Sequence, residues 1–415
     1  MRILLGSLLL AGCGAAMLGC ASEPMAIDAA PAADASSRDA GTDAATVDAT
    51  DAWHHVAVDA HVDDAAGTDG GVAPGYSPPL PSRGGPVISH PYVVTLTYAN
   101  DANRVALDAY SDVMVAETGW WSATTSEYGV GALASLGAVH LTDDAPPSAT
   151  EASIQSYLLA RAADGTIPHA PDGTFDGVMA LLYFPPGAAI TLSDGAMACS
   201  GWHGVHGEAR AGTTHLVYAL AIDCGAARGF DHLGYLEAAS SHELVEAATD
   251  PFVRSAPAYL VNTSVADPWM IFGETTDRCV GRYLVRGASV LARSWSNAAG
   301  AAGTDPCVPT EPGEIFYGVW TPTTTVHGAP GTTLSVPITG FARASVPDFD
   351  VAARTALGRS VGPVLGRATL NEGISTSLRL TLSSAATSGT TSVVLLTIGP
   401  AANDARNYPI LVRYD

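Results

Sequence analysis

Residues 241–251 read Ser-His-Glu-Leu-Val-Glu-Ala-Ala-Thr-Asp-Pro. Four residues are about one helical turn, so on a helix the imidazole of His242 and the carboxylate of Glu246 leave from one face and can share a metal ion. Glu243 stands beside them, and Pro251 sets the helix end, because proline disfavours helical geometry at the residue before it. The competing reading is an Ala-rich surface helix with solvated His and Glu side chains, since a five-residue pattern is short enough to arise by chance.

In the zinc-peptidase pattern His-Glu-x-x-His, two imidazoles hold the ion and the intervening Glu is the general base toward bound water. Here the second His position is Glu246. A carboxylate is an acceptable Zn²⁺ ligand, but its charge makes bound water less acidic. Glu243 is then the catalytic base; its alternative is a helix-surface acid. A catalytic zinc commonly takes three protein ligands and leaves one position for water, so His242 and Glu246 need a partner. Glu274 and Asp277, just before Cys279, are two choices. His203, in Trp-His-Gly, competes as third ligand, substrate contact or oxyanion stabiliser, or is a structural histidine beside Trp202. His206, His215 and His232 have no motif support, and Asp250 reads as a turn residue.

The context extends beyond this helix. Cys199-Ser-Gly-Trp-His-Gly204, Tyr218-Ala219, Asp223-Cys224, the stretch 241–251, Gly273-Glu-Thr-Thr-Asp-Arg-Cys279, Trp295-Ser-Asn297 and Asp305-Pro-Cys-Val308 follow in one order. Together they resemble the secreted bacterial relatives of the plant Exordium (phosphate-induced) proteins over roughly residues 87–320, through the ordered set rather than any single motif. The resemblance implies an extracytoplasmic protein with a zincin-like helix and no established reaction. Where the family reads Glu-Ile-Gly-Asp-x-Cys this chain has Glu-Thr-Thr-Asp-Arg-Cys, a departure that keeps both acids.

At the N-terminus Arg2 precedes the apolar run Ile3–Gly12, too short to span a bilayer stably and suited to a cleaved signal peptide. Leu10-Ala-Gly-Cys13 and Met17-Leu-Gly-Cys20 are both lipobox-like; Cys20 gives the more usual signal length and is the expected lipidation site, against an ordinary secretory signal cut near Ala21. Residues 21–86 hold eleven acidic residues and two arginines. So charged and poorly apolar a stretch cannot offset the entropy of ordering, and it reads as an extended tether. His54, His55 and His61 within it are read as solvated rather than metal-binding.

The whole chain carries a formal charge of −22, with arginine as its only cation besides histidine, which argues against nucleic acid as a partner. After signal removal and lipidation, Cys199, Cys224, Cys279 and Cys307 remain. An even count outside a reducing compartment reads as two disulfides, and chain order favours 199–224 and 279–307 among three pairings. A four-thiolate zinc site is the weaker alternative, because no Cys-x-x-Cys occurs.

Tyr92–Tyr98 reads as a strand, 103–122 as a helix, Asp176–Phe184 and Thr214–Ile222 as buried strands. From Gly313 the pattern changes to short β-rich stretches at 333–339, 376–382 and 392–398. The expected fold class is α+β: a signal peptide (1–19), a tether (20–86), a zincin-like α/β domain (87–312) and an immunoglobulin-like β-sandwich (313–415). The expected function is zinc-dependent hydrolysis of extracellular or envelope proteins or peptides by a lipid-anchored protein of a bacterial envelope, at the outer membrane or cell surface. The alternative is a non-catalytic surface binding or adhesion protein with a structural or vestigial ion site.

Overall fold

The computed structural model describes residues 78–200, 202–212, 214–261, 267–358, 361–399 and 405–415. The signal segment, Cys13, Cys20, His54, His55, His61 and most of the tether lie outside the described residues. The fold is α+β with curled, open sheets.

In chain order the first part comprises β1 (Tyr92–Thr97), α1 (Arg104–Ala116), α2 (Thr118–Thr125), β2 (Ala134–His140), β3 (Ser148–Thr150), α3 (Glu151–Ala163), β4 (Val178–Phe184), β5 (Ala189–Thr191), β6 (Gly204–Ala211), β7 (Thr214–Ile222), α4 (His232–Thr249), β8 (Tyr283–Arg286) and β9 (Ser289–Ala292). Five strands form a sheet in the order β2-β1-β4-β7-β6. The first four run parallel, and β6 pairs antiparallel to β7 as the edge.

The continuous apolar run of β4 follows from its central place, since both its faces are covered. Met179, Leu181 and Tyr183 pack into one apolar cluster with α1, α2 and α4, whereas Val178, Ala180, Leu182 and Phe184 pack into a second with α3. The helix expected over 103–122 is two helices, because Glu117 leaves helical geometry with ψ 58°. That turn delivers two indoles to the interior: Trp120 Nε1 donates to the Ala292 carbonyl at 2.7 Å and Trp121 Nε1 to that of Gly131 at 2.8 Å.

Beyond residue 313 the chain forms two further sheets, one of four strands and one of five. Their side chains share an apolar cluster that includes Ile338, Leu378, Val394, Leu396 and Ile410. Strand 391–398 alternates between two clusters: Val394, Leu396 and Ile398 enter this one, while Val393 and Leu395 pack with Trp269, Phe272 and Trp295 of the preceding part. Burial on both faces explains its unbroken apolar sequence.

Candidate metal centre

Helix α4 is buried nearly all round, between the five-stranded sheet on one side and the β8–β9 hairpin on the other. Its start is capped by Asp231, whose carboxylate accepts from the Gly234 N–H at 2.8 Å. A buried helix needs partners for its polar side chains. Ser240, Ser241 and Thr249 donate back to the carbonyls of Leu236, Glu237 and Val245, each at 3.0 Å. Glu237 accepts from the Val290 N–H at 2.9 Å, which helps dock the hairpin.

The remaining polar groups of α4 converge on ionisable neighbours. His242 Nε2 lies 3.2 Å from Glu246 Oε2 and 3.3 Å from Asp277 Oδ1. These separations suit hydrogen-bonded ion pairs, and they also match neighbouring corners of a tetrahedron with zinc-like arms, roughly 3.3 Å apart. On the other side of Glu246, His206 Nδ1 stands 3.3 Å from Glu243 Oε2 and 3.8 Å from Glu246 Oε2. Two His/carboxylate groups able to hold an ion thus meet at Glu246: His242–Glu246–Asp277 and His206–Glu243–Glu246. Glu246 Oε1 is taken by the backbone N–H groups of Thr276 and Asp277, both at 3.0 Å. Glu246 Oε2 is buried between the His242 and His206 rings, and Asp277 Oδ2 is buried without a hydrogen bond among the described residues. Buried oxygens in that state favour a cation beside them.

Glu274 takes a different place from Asp277: its Oε1 pairs with His206 Nε2 at 3.2 Å. His203 belongs to neither ligand group. Its ring packs edge-on against Tyr235, with centroids 4.6 Å apart, and it lines a small cleft of about 40 Å³. His242 and Glu243 line the same cleft, together with Gly204, Arg228 and Tyr283. Gly204 makes this placement of Glu243 possible, because a Cβ there would meet Glu243 Cγ at 2.5 Å and Oε1 at 2.7 Å. His215 and His232 lie elsewhere: His215 faces Phe252, and His232 pairs with Asp223.

Burial opposes charge on both site imidazoles, yet their carboxylates prevail. Glu274 and Glu243 raise His206, and Glu246, Asp277 and Glu243 raise His242, well above the ordinary histidine value. Burial likewise lifts the Glu274 carboxyl well above its usual range and Asp250 to about 6. Asp250 is the C-cap of α4, and its Oδ1 accepts from the Ala258 N–H at 2.6 Å.

Disulfides join Cys199 to Cys224 and Cys279 to Cys307, with Cα separations of 5.2 and 5.5 Å. The second fastens the loop that carries Asp277.

His206 is the residue sequence reasoning passed over. It lies on β6, whose sequence alternates Gly204, His206, Glu208 and Arg210 with Val205, Gly207, Ala209 and Ala211. Val205 and Ala209 face the α3 side, and His206 faces α4. That two-residue period was the available signal for a strand.

No protein-family model matches the chain, and no curated protein matches it. Solved structures share only weak likeness. Domains 4 and 5 of the S-layer protein SbsC are 8% identical with a TM-score of 0.20, covering 24% of this chain, which spans about half (53%) of that one. A conjugative transposon lipoprotein from Bacteroides eggerthii is 8% identical with a TM-score of 0.18, over 24% of this chain and 95% of that one. A nucleoside hydrolase-related hypothetical protein from Saccharophagus degradans is 10% identical with a TM-score of 0.25, over 79% and 100% of the two chains. At such TM-scores none of these bears on the fold or function of this chain.

Proposed function

We propose that the protein is a zinc-dependent hydrolase of peptide bonds, with His242, Glu246 and Asp277 as ligands and Glu243 as general base. The observation that carries this reading is the convergence of His242 Nε2, Glu246 Oε2 and Asp277 Oδ1 at a point where His242 and Glu243 border one cleft. Bound Zn²⁺ supplies Lewis acidity and brings the ionisation of water near neutrality. Within the cleft Glu243 accepts the proton of the attacking water and returns it to the leaving amine. His203, across the cleft, contacts the substrate carbonyl rather than serving as third ligand. Asp277 is oriented by its own N–H on Glu246, so ligand and support come from the same pair.

The wider proposal keeps the expected setting: a relative of the bacterial Exordium-like proteins, with residues 87–312 zincin-like and 313–415 an immunoglobulin-like β-sandwich. A lipid on Cys20 and an acidic tether hold it at the envelope surface, facing extracellular or envelope proteins. The parallel sheet with an antiparallel edge strand beside α4 supports the zincin-like part. The second reading, a non-catalytic surface binding protein with a structural ion, is favoured by two observations: Glu243 is only 4% exposed, and the cleft is small.

Metal analysis of the purified protein, followed by assay of wild type and Glu243→Gln on a broad peptide library, separates the two. Bound zinc with hydrolysis lost in Glu243→Gln supports the enzyme. Bound zinc without any hydrolysis supports the structural ion, and a chain that cannot be loaded with Zn²⁺ defeats both.

A further inference from the structure

We propose that a second divalent cation binds between His206 Nδ1, Glu243 Oε2 and Glu246 Oε2, sharing the Glu246 oxygen with the ion of His242 and Asp277. This rests on the reading of α4 as a metal helix and adds to it the number of ions and a regulatory consequence.

The tautomer of His206 follows from its surroundings. The Asp250 carbonyl, 3.2 Å from Nε2, can only accept, so Nε2 carries hydrogen. Glu274 Oε1 approaches the same nitrogen at 3.2 Å. A carbonyl and a carboxylate behind one ring nitrogen are the usual outer support of a metal-binding imidazole. Nδ1 then faces Glu243 Oε2, 3.3 Å away, and Glu246 Oε2, 3.8 Å away, and a cation that displaces its proton would be met by its lone pair. An imidazole and two carboxylates gathered in a dry interior need positive charge between them, which a proton on Nδ1 or a cation supplies. Glu246 Oε2 is buried between the two rings, 3.2 Å from His242 Nε2 and 3.8 Å from His206 Nδ1, where one oxygen can serve both ions.

Glu243 and Glu246 are buried carboxylates on the Nδ1 side of His206, where a cation would take the place of a proton. Mixed imidazole and carboxylate donors suit Zn²⁺. Once the second ion is bound, Glu243 is a ligand and can no longer take up a proton. The base role therefore belongs to the singly loaded state, and excess ion shuts it off.

The test is stoichiometry. Full-length chain carrying His54→Ala, His55→Ala and His61→Ala, so that these histidines contribute nothing to the count, is stripped with chelator, reloaded with Zn²⁺ and gel-filtered. Its zinc is then counted by mass spectrometry. Two ions per chain are expected, falling to one on adding His206→Gln and to one on adding His242→Ala. A single ion that His206→Gln leaves unchanged overturns the second site alone, the charge beside Nδ1 then being a proton. No ion at all overturns the metal helix as well. Should circular dichroism show that His206→Gln does not fold, X-ray absorption of the zinc-loaded parent decides. A zinc–zinc distance of roughly 3.5–4 Å is expected for ions sharing one carboxylate, and its absence overturns the proposal.

Discussion

Glu246 and Asp277 are joined twice: the Asp277 N–H donates to Glu246 Oε1 at 3.0 Å, and the two side chains meet at His242 Nε2, Glu246 at 3.2 Å and Asp277 at 3.3 Å. One carboxylate thus fixes the loop with one oxygen and offers the other to the centre. Glu246→Gln retains an acceptor for the Thr276 and Asp277 amides and should stay folded while losing metal. Glu246→Ala leaves both amides unpaired in the interior and should cost about 2–4 kcal/mol. Urea titration and metal analysis of the two variants check the difference.

The base role of Glu243 predicts a separation of binding from chemistry. Glu243→Gln should keep at least one zinc and lose activity by about 10²–10⁴-fold, the usual range for a general base. His242→Ala should lose the ion of the cleft together with activity. Equal activity in Glu243→Gln and wild type would refute the assignment.

Gly204 offers a subtler probe. Gly204→Ala places a methyl group where Glu243 Cγ and Oε1 now lie, so the carboxylate must move. Overpacking of this kind costs about 1–3 kcal/mol, and hydrolysis should fall by more than that loss of stability would cause. Thermal melts beside rate measurements show whether the two effects part.

Glu237 links stability to pH. Burial raises its carboxyl to about 7, so the folded chain holds this proton over a range in which the unfolded chain has released it. The favourable contribution is complete below the unfolded carboxyl value near 4.5 and is lost as pH rises through about 7. Glu237→Gln keeps an acceptor for the Val290 N–H and removes the titration. Its melting temperature relative to wild type should therefore be higher at pH 8 than at pH 5; a constant difference would exclude Glu237 as the source.

Residues 313–415 expressed alone should melt cooperatively but self-associate. Val393, Leu395 and Leu411, which pack against the preceding part, become exposed in the fragment. Analytical ultracentrifugation should find it monomeric after Val393→Ser with Leu395→Thr, changes that leave the other face of the strand intact.

The helix and its end were legible in the sequence because His-Glu-x-x-Glu and Asp250-Pro251 act over one or two turns. The central strands were legible because their apolar runs record burial on both faces. His206 was not. It reaches Glu243 only because β6 pairs with β7, setting His206 opposite Ala219 and beneath α4. No local pattern encodes a contact made across 37 residues of chain by the folding of a sheet edge against a helix. For the same reason the assignments of Glu274 and Asp277 could not be separated by spacing: they stand three residues apart, yet one turns to His206 and the other to His242.

The bond between Cys279 and Cys307 gives the centre a history as well as a shape. Cys279 stands two residues after Asp277, so while the thiols remain reduced the loop is held by hydrogen bonds alone, among them the two amides on Glu246. Oxidation of this pair is therefore expected to precede tight loading of the proposed ion. On the proposed reading, a copy whose Cys279 and Cys307 are still thiols should hold its ion more weakly than the oxidised chain.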